Sequence, residues 1–222
     1  AARAPITIEL TILAMALAIL LGVPAGMAAA KLRGSLVDNT LSGLALVANA
    51  IPFFWLGILL ILLFSLQLRW LPPSGYVAFA PDPVENLRLM ILPGLAVGQS
   101  MTALITRQTR SAVLQVLSED YVRTGRAKGL SEPRVLFRHA MPNAMIPVLT
   151  VVGLQTGALL GGAIVTERVF SIAGIGTMLI DGIFNRDFPV IQGAMLFIIV
   201  CVAAVNLIVD ILYSAIDPRI RY

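Results

Sequence analysis

Charge is scarce in this 222-residue chain: Asp, Glu, Lys and Arg together make up 13% of it, about half the usual share in a soluble domain. Apolar residues make up 58%, and the mean hydropathy is +0.90. Too little polar sequence remains to cover a core of that size, which all but excludes a soluble globular domain and excludes disorder. Cysteine occurs once, as Cys201 inside an apolar run, so no disulfide framework or Cys-rich metal site is available. Histidine also occurs once, as His139 on a different segment, which argues against Cys–His or metal-assisted chemistry. No serine has a base signature beside it. The phosphate-loop pattern G-x-x-x-x-G-K-[ST] is absent. The net charge is +4 and the pI about 9.7; in a chain this apolar, the excess suits basic loops facing a cytoplasm better than nucleic acid.

What is present is a set of five apolar runs, each near the length of about 20 residues that a membrane-crossing helix needs. They fall at about 7–30, 41–66, 90–117, 143–166 and 190–213. Glu9 is the one charge in the first and Asp210 in the last; the second has none. The third is short at its apolar centre and is expected to continue as helix past Arg107 and Arg110. The fold class that follows is an all-α polytopic membrane protein, organised as one transmembrane domain over 1–222.

Basic residues divide unevenly between the connections. Lys31 and Arg33 lie in 31–40; Arg107, Arg110, Arg123, Arg126, Lys128, Arg134 and Arg138 lie in 107–142; Arg219 and Arg221 lie in the tail. Only Arg3, Arg69, Arg88, Arg168 and Arg186 fall on the other side. Basic residues mark the cytoplasmic side. The N-terminus is then expected outside, with the 107–142 loop and the C-terminus inside. An odd number of spans with an outside start points to one more helix before residue 1. The outer connections are turn-rich: Pro72-Pro73-Ser74-Gly75-Tyr76 and Pro81-Asp82-Pro83 in one, Ala173-Gly174-Ile175-Gly176 in the other. With no strand before it, that GxG reads as a tight turn or short helix rather than a nucleotide fingerprint.

Small residues recur at four-residue spacing: Gly22 with Gly26, Gly94 with Gly98, and Gly153, Gly157 and Gly161. Each set lies on one helix face, where a neighbouring backbone can approach. Helix packing is the expected use. Pro24, Pro52, Pro93 and Pro147 lie in or near the runs and are candidate kinks. Polar residues inside runs turn inward in lipid. Asn49, Gln99 and Gln155, with the aromatic Phe53, are the candidate lining of a solute path.

The 118–142 loop reads SEDYVRTGRAKGLSEPRVLFRHAMP. Ser118 is a suitable N-cap followed by acidic Glu119 and Asp120, and the helix so started stops at Gly129. Ser131 caps a second helix with Glu132 and Pro133 in its first turn, ending near Pro142. A helix of about nine residues is marginal alone and needs lipid headgroups, the bundle's base or another protein to dock on. Two capped helices joined by a Gly corner have a defined shape that best suits a partner's groove.

At this point the sequence resembles the permease subunits of ATP-binding-cassette importers. Gly129 and the following His139-Ala140-Met141-Pro142 have the spacing of that family's EAA loop, with Arg123-Thr124-Gly125 where E-A-A stands and His139 where Ile stands. The departures resemble the B-type permeases of dipeptide and oligopeptide importers. Further likenesses are Asn143-Ala144-Met145-Ile146-Pro147-Val148, Thr166 through Ser171 with Gly174-Ile175-Gly176, Arg186 through Gly193, and the terminal Asp217 through Tyr222. The likeness covers essentially the whole chain and lacks the family's first transmembrane helix. Nickel and glutathione permeases carry similar motifs.

The resemblance implies a type I importer transmembrane domain (MetI-like) in a bacterial inner membrane. It implies a homologous second permease, two cytoplasmic ATPases that hold the ATP and Mg, and an extracytoplasmic solute-binding protein; this chain itself would bind no cofactor. The coupling segment would comprise Arg126, Gly129, Leu130, Ser131, Glu132, Arg134, Val135, Leu136, Arg138 and His139. Peptides are the expected cargo, with nickel or glutathione as alternatives. The rival class is an ATP-independent secondary transporter or channel, which usually places ionisable groups at mid-membrane; ion flux without ATPase partners separates the two.

Overall fold

The computed structural model describes residues 3–216, apart from the side chains of His139, Val209, Asp210 and residues 212–216. The terminal motif from Asp217 to Tyr222 lies outside the described residues, as does the side chain of Asp210.

Nine helices succeed one another among the described residues. They are α1 (Ala4–Lys31), α2 (Leu36–Ala50), α3 (Phe53–Leu60), α4 (Pro83–Leu117), α5 (Asp120–Ala127), α6 (Glu132–Arg134), α7 (Met141–Val169), α8 (Ile175–Phe184) and α9 (Phe188–Ile216). The hydrogen-bond pattern widens to π-helical over Ile61–Gln67 after α3 and over Val135–Ala140 after α6. Four helices are long and apolar enough to cross a membrane: α1, α4, α7 and α9. Each extends beyond its apolar run; at α4 polar residues continue the helix, with Pro83 opening it behind an Asp82 cap that accepts from the Glu85 N–H.

The second run departs from the straight helix its composition predicts. It breaks at Ile51–Pro52, where the chain bends by 106°. The cause is local. Ile51 and Pro52 are both extended, and Pro52 has no N–H with which to continue the helix.

The core lies where α1, α4 and α7 meet, around Leu10, Ala14, Met90, Ile105, Val148 and Phe170. The α1–α4 seam is built from missing side chains. A Cβ on Gly26 would stand 2.5 Å from the Thr106 carbonyl oxygen, and one on Gly98 2.7 Å from that of Ala14. Backbones meet there, so the packing use of the spaced glycines holds for Gly22, Gly26 and Gly98. The α7 triple behaves differently: Gly157 faces Val202, but nothing lies within 4 Å of where a Gly161 Cβ would be. α9 packs on α7 and α8 and leaves a slot of about 480 Å³ against α1, lined by Ile12, Met15, Thr156 and Cys201 among others.

Candidate functional site

Three places in the fold gather the polar and exposed groups that the sequence singles out. The first is the basic end of the bundle, where α1 and α4 finish and α7 starts. Here Ser118 does not open a helix. It closes α4, its hydroxyl donating to the Gln115 carbonyl at 2.6 Å, and Glu119 is the N-cap of α5. The Gly129 corner is as expected: its φ is +78°, the left-handed region that favours glycine. Ser131 is extended and precedes α6 without a side-chain cap. No end appears near Pro142, because Ala140 and Met141 keep helical angles and the segment runs straight into α7.

Within this corner, Arg126 forks onto Glu132 at 2.8 and 3.2 Å, clasping α5 to α6. Val135 is fully buried, and Leu136 packs on the base formed by Ala30, Val113 and Ala144. Leu130 is half-buried. The outward side carries Gly129, Ser131, Glu132, Arg134, Phe137 and Arg138, all exposed, Phe137 at 61%. The sequence-predicted set therefore divides: Val135 and Leu136 are turned toward the bundle, Leu130 is half-buried, and Arg126, Gly129, Ser131, Glu132, Arg134 and Arg138 are exposed. His139 lies on the backbone of this segment with its side chain outside the described residues. Phe137 is not in that set; its place between the half-buried Leu136 and exposed Arg138 is the signal that finds it.

The second place is the break in the second span. Gln99, near the middle of the 35-residue α4 and only 7% exposed, donates from Nε2 to the Ile51 carbonyl. Its Oε1 is buried with no partner. Asn49 is exposed beside the break, and Phe53 is half-buried with its ring edge-on to Phe54 at 6.1 Å. The structure thus brings Asn49, Phe53 and Gln99 to one point. Gln155 lies half-buried on α7 and takes no part in the Gln99–Ile51 bond at the break. The far end of α2 is pinned as well. Asp38, 2% exposed, receives Arg110 Nε at 2.6 Å and Nη2 at 2.8 Å, plus the Gly34 N–H at 2.9 Å.

The third place is the opposite end of the bundle. Glu167, fully buried, accepts from the Thr7 hydroxyl at 2.5 Å and from the Thr177 N–H at 2.9 Å. Thr7 in turn accepts from the Ile175 N–H at 2.9 Å. A carboxylate thereby caps α8 at its positive end, which accounts for the GxG: a Cβ on Gly174 would collide with the Glu167 carboxylate. Close by, Glu9 accepts from the Tyr76 hydroxyl at 2.8 Å and from Asn86. Burial, then the bond to Glu9, pushes the Tyr76 phenol up to about 12. Apart from Glu167 and Thr177, these partners lie 67 to 168 residues apart, so no local pattern reveals them. Among the described residues, no group of three or more His, Cys, Asp or Glu could hold a metal ion.

A helical bundle of this kind, with an ordered corner on its basic end, has the build of a membrane transport component. A family model described as "Binding-protein-dependent transport system inner membrane component" matches residues 22–222, and the chain belongs to that family. Its relatives include a putative peptide transport system permease protein of Brucella abortus strain 2308, 45% identical over all of this chain and 71% of the relative. The dipeptide transport system permease protein DppB of Escherichia coli K12 is 45% identical over 97% of this chain and 70% of its own length. The di/tripeptide transport system permease protein DppB of Pseudomonas aeruginosa is 46% identical over 98% and 71%. Among solved structures, an inward-facing form of the MetNI methionine ABC transporter superposes with a TM-score of 0.77 at 15% identity, covering 95% of this chain and 93% of that one. An amino acid ABC transporter superposes with a TM-score of 0.67 at 16% identity, covering 96% and 92%. At such identities the likeness is one of fold, and it bears out the all-α, MetI-like transmembrane architecture.

Proposed function

We propose that this chain is one permease subunit of an ATP-driven importer of peptides in a bacterial inner membrane. It forms the path with a homologous second permease, takes cargo from an extracytoplasmic solute-binding protein and rests on two cytoplasmic ATPases. The likeness to peptide permeases, which runs over 97–100% of this chain and 70–71% of the relatives, supports the cargo. The coupling role is carried by one observation: an ordered Gly129 corner whose inner side is bonded to the bundle while Arg134, Phe137 and Arg138 project from it.

The physical logic is that of a two-state element biased from outside. An ATPase groove that closes on α6 and the π-helical turn after it shifts Val135 and Leu136. These bear on α1, α4 and α7, and α6 continues into α7 without a break. Force applied at the corner thus reaches a membrane-crossing helix directly. ATP and Mg act on the ATPases, and this chain is a conduit rather than an enzyme. The basic end faces the cytoplasm by its excess of Lys and Arg, which puts the 107–142 segment and the C-terminus inside.

The test is reconstitution with the partner permease, both ATPases and the binding protein in vesicles. Uptake of a dipeptide that depends on ATP is the expected result. ATP-independent ion or solute flux through the chain without its ATPases contradicts the reading, and uptake of nickel or glutathione in preference to dipeptide corrects the cargo.

A further inference from the structure

A break in a membrane-crossing helix releases backbone groups that lipid cannot satisfy. The Ile51 N–H makes the last bond of α2, to the Val47 carbonyl at 3.1 Å. Beyond it, Pro52 has no N–H to offer Ala48. Among the described residues, no bond reaches the carbonyls of Ala48, Asn49 and Ala50, nor leaves the N–H groups of Phe53 and Phe54. One carbonyl at the break, that of Ile51, is satisfied by Gln99. That contact also fixes the depth: Gln99 stands near the midpoint of α4, so the break stands near mid-membrane.

Irregular backbone at that depth is tolerated only where protein covers it or water reaches it. This chain does not cover it: Asn49, Ala50, Pro52, Phe54 and Trp55 are all exposed. The free groups also have opposite polarity. The carbonyls at the end of α2 carry the negative end of a helix dipole, and the N–H groups at the start of α3 carry the positive end of another. In discontinuous helices, such paired ends are where substrates bind. A second, independent observation marks the same point. The Gln99 carboxamide is more than nine-tenths buried, has bonded its nitrogen to the break and holds its oxygen without a partner.

We propose that the Ala48–Phe54 break is a station in the translocation path that takes a peptide by its main chain. The carbonyls of α2 accept N–H groups from the cargo's amino terminus and amide, and the N–H groups of α3 face its carbonyl oxygens. The Phe53 and Phe54 rings wall the station without selecting a side chain. Main-chain contacts treat all peptides alike, as a path for mixed peptides requires. The proposal deepens the peptide-importer reading and rests on it.

The test uses the whole reconstituted complex. Cys201, the sole cysteine, is changed to Ala, and single cysteines are placed at Asn49, at Ala50 and, as a control, at Leu20, an exposed residue midway along α1. A charged, water-soluble thiol reagent is expected to label positions 49 and 50 and to leave 20 unlabelled. Saturating dialanine and dileucine are expected to slow labelling at 49 and 50 equally, about tenfold. An N-methylated dialanine, which lacks the amide N–H, is expected to protect at least severalfold less. Failure of both positions to label, or equal labelling at 20, overturns the wet break. Labelling with protection that follows the side chain, or that survives N-methylation, overturns main-chain recognition. A complex that labels at 49 and 50 but moves no peptide overturns the cargo and the station together, while the break keeps its place in a wet path.

Discussion

Tyr76 and Glu167 both organise the end of the bundle opposite the Gly129 corner, and they do so by different physics. Tyr76 is a neutral donor on a carboxylate. Its phenol is raised from 10.0 to about 12, so the neutral form is favoured in the folded chain. The linked stability is complete below about pH 10 and is lost as pH rises from there through about 12. An alkaline absorbance titration, taken as wild type minus Tyr76→Phe, should place this phenol near pH 12. A transition near 10 would remove the Glu9 contact from the account. Glu167 instead accepts, and glycine makes room for it. Gly174→Ala forces a methyl into the carboxylate. It should lower stability by about 1–3 kcal/mol, read as a fall in the thermal midpoint of the purified complex. Neither pairing is legible in the sequence, where Thr7 and Glu167 are 160 residues apart. The glycines beside them are visible, but only the fold says which atom needs the space.

At the scale of the element, local chemistry reads well and endings read poorly. The Gly129 stop is plain in the sequence because glycine takes a φ of +78° more readily than any other residue. Ser118 misleads because a hydroxyl beside a helix end can serve either the helix behind or the one ahead; here it donates backward to Gln115. The end expected near Pro142 is missing because Ala140 and Met141 keep helical angles, so the π-helical turn passes into α7 with Pro142 at its start. Pro52 shows the converse. Composition makes residues 41–66 one span, yet its missing N–H and an extended Ile51 bend the chain by 106°. The Gly129 corner also yields a clean experiment. No atom lies within 4 Å of an added Cβ there, so only backbone strain is at stake. Gly129→Val should cost the corner about 1–2 kcal/mol and lower peptide moved per ATP hydrolysed. Gly129→Asn, which tolerates the left-handed region, should retain most of the coupling. Equal ratios for both variants would refute the role of that corner.

For the whole molecule, the sequence reveals the all-helical membrane architecture, the basic end and the family, since each is written in composition or in motifs. It does not reveal which crossings adhere. That depends on complementary surfaces, and it differs sharply among the helices. α1 and α4 meet backbone to backbone at Gly22, Gly26 and Gly98, whereas only 6% of the apolar window of α9 is buried. Gly26→Val should push α1 off Thr106 and destabilise the purified complex by about 1–3 kcal/mol or more. The same change at Gly161, which faces open space in this chain, should leave the thermal midpoint within a degree or two unless a partner subunit fills that face.

The glycine seam has a mechanical corollary. Two rods whose main chains touch cannot slide or part by small steps, because nothing compressible lies between them. On the importer reading they form the stator of the machine, and the relative motion of a working cycle falls to α7, which the corner drives, and to the more exposed elements around it, α9 and the bent α2–α3 pair.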